Sequence, residues 1–173
     1  MELKNKKIIE KMTLKEKTLM LSGKGMWKTY SFEKYGIPEF FLSDGPHGMR
    51  TQEGAGDWLG INKSKAATCF PTAATIANSW DRNLAEEVAG ALGEEAVSLG
   101  VDMILGPGMN IKRSPLCGRN FEYFSEDPYL AGEMGAAYVQ GIQDKGPAAC
   151  PKHFAVNSRE TRRMAMNAVV DER

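Results

Sequence analysis

The chain has 173 residues, enough for one domain with a buried core. Its 22 Lys and Arg balance its 22 Asp and Glu, which argues against a nucleic-acid partner, since such a partner calls for a basic surplus. No apolar run approaches the ~18 residues needed to cross a bilayer, and the odd, widely spaced Cys69, Cys117 and Cys150 suggest neither a disulfide framework nor a zinc site.

The N-terminus, MELKNKKIIEKMTLKEKT, is charged and helical in pattern, and lacks the apolar stretch and cleavage site of a signal peptide. A cytoplasmic protein with reduced thiols is expected. Residues 3–21 predict one or two short helices, with Thr13 and Glu16 at capping-box spacing. Residues 22–38 look irregular. Phe40 to Leu42 predicts a buried strand, followed by a turn rich in Gly and Pro and a long polar loop over 51–66. A second strand is predicted at roughly 72–78. Asp81 then caps a helix carrying Leu84, Val88, Leu92, Ala96 and Leu99 at helical spacing, ended by Gly100. VDMIL, 101–105, reads as a buried strand stopped by GPGMN. After a polar loop, Asp127-Pro128 opens a helix with Leu130, Met134, Tyr138 and Ile142 on one stripe. Gly132, Gly135 and Gly141 lie inside it, each costing ~1 kcal/mol against Ala, so tight packing of this helix against a sheet is expected. AACPKHF reads as a strand, and MAMNAVV as a last extended run.

The order strand, loop, strand, helix, strand, helix, strand, strand implies parallel strands covered by helices. An open doubly wound sheet and a barrel share it. A full (β/α)8 barrel needs ~250 residues, so this chain would supply about half of one. It stops at NAVVDER, just past an apolar run, and looks cut.

Polar residues recur after the predicted strands: Asp44 and His47, Asn78 and Trp80, Asn110 and Arg119, Lys152 and His153. Parallel strands put their C-termini on one face, so these residues would share one mouth. One carboxylate with several fixed donors suits a neutral polyhydroxyl ligand, because the carboxylate accepts from neighbouring hydroxyls while the cations donate to others. Trp27, Trp58, Trp80, Phe121, Tyr123 and Phe124 could wall a sugar ring. A phosphate ligand would prefer the cations without Asp44, and a glycine loop running into a helix. Plainer readings compete: Asp44-Gly45 as a structural turn, Lys152-His153 as surface, Arg119 paired with Glu122 or Glu126 to pin its loop. His47 and His153 have no partners at metal-ligand spacing.

The strings MTLKEK, SGKGMW, SDGPHGMR, ATCFPTAATIANSWD, GVDMILGPGMNIKRSPLCGRNFEYFSEDPYLAGE and PKHFAVNSRETRRM resemble the N-terminal part of a family 3 glycoside hydrolase of the bacterial β-glucosidase type. They begin at residue 12 and cover nearly the whole chain. Two positions depart from the family's pattern. Arg159 stands where Gln is usual, and Gly25 where an acidic residue is usual. The resemblance implies an incomplete (β/α)8 TIM-like barrel, with residues 1–173 as the N-terminal portion of the barrel domain and the rest of the barrel and further domains lying beyond.

It also implies roles. Asp44 would accept from sugar hydroxyls, Arg119, Lys152 and His153 would donate, and Arg163 would support the pocket. Glu160 would hold Lys152 or Arg163 from behind, with Asn157 beside it. Retaining glycosidases need two carboxyls. In this family the nucleophile is an Asp in a Ser-Asp-Trp context. The only Ser-Asp here is Ser43-Asp44, followed by Gly45. Nucleophile and acid/base are therefore expected beyond Arg173, and the isolated chain is expected to be inactive.

The intact enzyme would hydrolyse terminal β-linked sugars with retention, without metal or cofactor. β-Xylosidase or another exo-glycosidase, a non-catalytic sugar-binding fragment, and half of a split enzyme remain alternatives. The N-acetylglucosaminidase branch is less expected, because NSRETRR stands where its histidine-bearing loop would be. The expected partners are a sugar or oligosaccharide and the remainder of the same enzyme or a complementing chain, with no nucleic acid and no membrane. An oligomer is left open.

Overall fold

The computed structural model describes residues 4–54 and 61–172. Two short helices open the chain, α1 (Lys6–Lys11) and α2 (Leu14–Met20). Thr13 and Glu16 form the expected capping box, each side chain bonded to the other's backbone amide. A short 3-10 turn, Glu33–Tyr35, precedes the first strand. That strand, β1 (Leu42–Asp44), begins where the predicted Phe40–Leu42 strand ends. Part of the predicted 51–66 loop, and Trp58 with it, lies outside the described residues.

The predicted strand at 72–78 is instead a helix, α3 (Ala73–Ala77). Thr72 caps it by accepting from the Thr75 amide. Ala73, Ile76 and Ala77 are its buried residues, the i, i+3, i+4 spacing of a helix face. Two long helices follow, α4 (Arg82–Ser98) and α5 (Pro128–Asp144), each capped by the predicted aspartate. The buried face of α4 is Ala85, Ala89, Leu92 and Ala96, while Leu84 is 41% exposed. The predicted stripe is therefore rotated by about one residue. Small alanines on that face let α5 approach closely, and Met134, Tyr138 and Ile142 fill the contact.

Strands β2 (Met103–Leu105) and β3 (Ala148–Ala149) complete one parallel sheet in the order β1-β2-β3. Ser43 pairs with Ile104 and Asp44 with Leu105, while Ile104 pairs with Ala149. AACPKHF thus contributes only two strand residues, yet the pairing continues as isolated bridges from Gly108 to Lys152 and to Tyr123. The predicted final run over 164–170 forms no strand, because its backbone finds no neighbouring strand to bond with. Ile104, fully buried, sits at the centre of the core with Leu92, Met134 and Ile142. A partial parallel sheet with covering helices is what an incomplete α/β barrel contains. Among the described residues no helix is long and apolar enough to cross a membrane.

Candidate functional site

Asp44 ends β1, and two parallel bridges place Lys152 and Tyr123 against Gly108, three residues past β2. Lys152 is locked into that register by its amide donating to the Pro107 carbonyl at 2.9 Å, and by its own carbonyl accepting from the Met109 amide at 2.6 Å. Gly108 is needed for this approach: an added Cβ would lie 2.6 Å from the Glu122 carbonyl oxygen and 2.9 Å from the Tyr123 ring. The 3-10 turn Asn120–Glu122 is thereby pressed against the sheet end.

One network results. Lys152 Nζ donates to Asp44 Oδ1 at 2.8 Å and lies 3.8 Å from Glu122 Oε2. Arg119 Nε donates to Glu122 Oε1, and Arg119 Nη2 meets His153 Nε2 at 2.9 Å. A guanidinium can only donate, so His153 Nε2 is the acceptor and the ring proton sits on Nδ1. That Nδ1 faces Tyr123 Oη at 2.9 Å, and Tyr123 Oη also accepts from Asn157 Nδ2 at 3.1 Å. Asn110 holds the His153 backbone from both sides, accepting from its amide at 3.0 Å and donating to its carbonyl at 3.1 Å. Glu160 accepts from Arg163 at 3.3 Å, and its other oxygen lies 3.9 Å from Arg119 Nη1.

The electrostatics follow from burial and these partners. Burial alone would raise the Asp44 pKa. The hydrogen bond and charge of Lys152, the Gly45 amide and the Arg50 charge outweigh it, so the pKa falls below the usual aspartate value. Burial lowers the pKa of His153, and the Arg119 and Lys152 charges push the same way. Burial likewise lowers that of His47. Burial pushes the Tyr123 phenol up to about 12, so it stays protonated.

The structure brings Asp44, Arg119, Lys152, His153, Glu160 and Asn157 together. Arg163 reaches the group only through Glu160, at an exposed rim. His47 is turned to another task, its Nε2 accepting from the Ala73 amide at 2.9 Å at the start of α3. Asn78 bonds its own helix at Ala74 O, and with Trp80 lines a separate hollow of about 620 Å³. Tyr123 and Phe124 are buried, 1% and 3% exposed. Tyr123 serves through its hydroxyl, while Phe124 packs on Tyr138 and lines the same hollow as Asn78 and Trp80, apart from the cluster. Trp27 Nε1 bonds Gln52 at 3.4 Å. Glu122 was legible only as a loop pin for Arg119. Its second partner, Lys152, lies 30 residues on and no local pattern marks it.

A parallel α/β sheet with a charged and polar cluster at its strand C-termini defines the class: part of an α/β barrel. The chain belongs to glycosyl hydrolase family 3, whose N-terminal domain pattern matches residues 28–170. It is 55% identical over 168 residues to thermostable beta-glucosidase B of Acetivibrio thermocellus, covering 97% of this chain and 22% of that protein. It is 44% identical to an exo-alpha-(1->6)-L-arabinopyranosidase of Bifidobacterium longum, covering 95% of this chain and 22% of the relative. Among solved structures, beta-glucosidase 3B of Thermotoga neapolitana in complex with glucose superposes with a TM-score of 0.78 at 40% identity, over 91% of this chain and 24% of the other. The chain therefore spans 22% of the length of the curated relatives named here.

Proposed function

We propose that this chain supplies the sugar-recognising part of a retaining exo-glycosidase, β-glucosidase in type, whose nucleophile and acid/base come from sequence beyond Arg173. Residues 1–173 then form the N-terminal portion of the barrel domain. The observation that carries this reading is the charge balance of the cluster. Asp44, Glu122 and Glu160 are matched by Lys152, Arg119 and Arg163. A neutral site dense in donors and acceptors suits an uncharged polyhydroxyl ligand, whereas a phosphate needs a cationic surplus. The Asp44 side chain is 35% exposed and can accept from a ligand, and Lys152 keeps protons beyond the one given to Asp44. These, with Arg119, are the groups for sugar hydroxyls. His153 enters as the acceptor that fixes Arg119, Asn157 steadies the Tyr123 hydroxyl behind it, and Arg163 supports the rim through Glu160. Free thiols at all three cysteines support a cytoplasmic site. The arabinopyranosidase likeness favours a second reading in which the sugar is a pentopyranose.

The test is hydrolysis of aryl β-glucoside, β-xyloside and α-L-arabinopyranoside by the 173-residue chain and by the product of the full reading frame. The long product is expected to be active and the short one inactive. Asp44→Asn in the long product removes the charge that partners Lys152 and replaces one acceptor oxygen with a donor, and should lower kcat/KM at least about tenfold, since a bond to a charged group contributes ~1.5–3 kcal/mol. Activity in the 173-residue chain alone would overturn the division between recognition and bond breaking.

A further inference from the structure

Glu122 is 3% exposed, and no other charged residue among those described is so deeply buried. A carboxylate in that position is stable only with cations beside it. It has two, from segments far apart in sequence: Arg119 on Oε1, and Lys152 at 3.8 Å from Oε2. Its own backbone cannot give way, because the amide donates to the Arg119 carbonyl at 3.2 Å and the carbonyl crowds Gly108. It therefore differs from Asp44, whose side chain is 35% exposed and which meets only Lys152 among these cations.

We infer that Glu122 is a positioning residue of the pocket, an internal counter-charge that holds Arg119 and Lys152 side by side as fixed donors and so leaves the part-exposed Asp44 carboxylate available to a ligand. Two cations packed against one another repel strongly where water is scarce. Without Glu122, Asp44 alone of the two carboxylates is left to balance Lys152 and is drawn further from ligand binding, while Arg119 loses its Nε anchor and is held by His153 and, at 3.9 Å, by Glu160. The part of this inference that concerns a ligand rests on the sugar-pocket reading. The part that concerns the charge does not.

The experiment separates the two. The chain has only two histidines, and both feel Glu122. His153 faces Arg119, Lys152, Glu122 and Asp44, and His47 faces Glu122, Lys152 and Asp44. Ring resonances followed by NMR against pH give both midpoints in wild type, Glu122→Gln and Glu122→Asp, and glucose is titrated into each. In Glu122→Gln both midpoints should fall, because a carboxylate that favours the charged imidazole is gone. Glucose affinity should drop at least about tenfold. Glu122→Asp should restore the midpoints and only part of the affinity, since it keeps the charge and shortens the reach. Unmoved midpoints in Glu122→Gln overturn the inference, as does unchanged glucose affinity with shifted midpoints. Should Glu122→Gln fail to fold, Glu122→Asp decides: glucose binding equal to wild type overturns it. If neither the chain nor the product of the full reading frame binds glucose or L-arabinopyranose, the sugar-pocket reading fails, and the histidine midpoints alone decide whether Glu122 is the counter-charge.

Discussion

Both histidines use Nε2 as an acceptor, His47 from the Ala73 amide and His153 from Arg119. A proton on either Nε2 would break that bond. Burial, the largest cause for each, also favours the neutral ring. Their folded pKa values therefore lie below the ordinary 6.5. The sign follows from proton counting. Between the two values the unfolded chain binds more protons, so the stabilisation is complete above 6.5 and is lost as pH falls from there toward the folded values. Asp44 works in a lower window, with its contribution present above 3.8 and lost as pH falls through its depressed pKa. The melting temperature should therefore decline in two stages on acidification, first in the histidine range and again in the carboxylate range. Scanning calorimetry across both ranges checks this, and a flat profile between pH 7 and about 5.5 would contradict the histidine assignment. The residues of the cluster were legible as chemistry-bearing types at strand ends. Their pairings were not, since Lys152 and Asp44 are 108 positions apart and Arg119 and His153 are 34 apart.

Helix starts were the most readable elements, because a cap is a bond within three residues. Asp81 accepts from Asn83 and Leu84, and Asp127 from Tyr129 and Leu130. The segment PTAATIA was harder. Its β-branched Thr and Ile favour a strand, while Thr72 and the 73, 76, 77 spacing favour a helix, and five residues are too few for periodicity alone to decide. The glycines of α5 carry a prediction at this scale. They were expected to fit the helix against a sheet, but Gly141 meets α4, where an added Cβ would strike the Glu86 carbonyl oxygen and press on Ala89, while Gly135 meets Met109. Gly132 meets nothing. Gly141→Ala should thus destabilise by about 1–3 kcal/mol through overpacking. Gly132→Ala should stabilise by roughly 0.5–1 kcal/mol through helix propensity. Urea unfolding of both measures it, and equal effects would mean α4 and α5 do not pack at Gly141.

At the scale of the molecule, a buried bond between distant segments ties the helical layer to the site. Tyr138 Oη, on α5, donates to the Pro46 carbonyl at 2.8 Å, two residues past Asp44. Tyr138→Phe keeps the ring packed on Phe124 but leaves that carbonyl without its partner. A loss of about 1–3 kcal/mol is expected by denaturant unfolding, and wild-type stability would mean that water reaches Pro46.

The parallel layering was legible because alternating apolar runs and amphipathic stretches admit few other solutions. The strand count was not. One predicted strand is α3, and the 164–170 run stays unpaired. Sequence alone determined the helix ends, the residue types gathered at the strand C-termini and the family to which they belong, since each is written within a few consecutive residues. Only the tertiary structure decided that Glu122 stands between two cations, that His47 caps α3 rather than joining the cluster, and that Tyr123 faces His153. Those choices depend on which distant segments share a low-dielectric interior, and a charge or proton buried there must be matched by whatever neighbour the packing supplies.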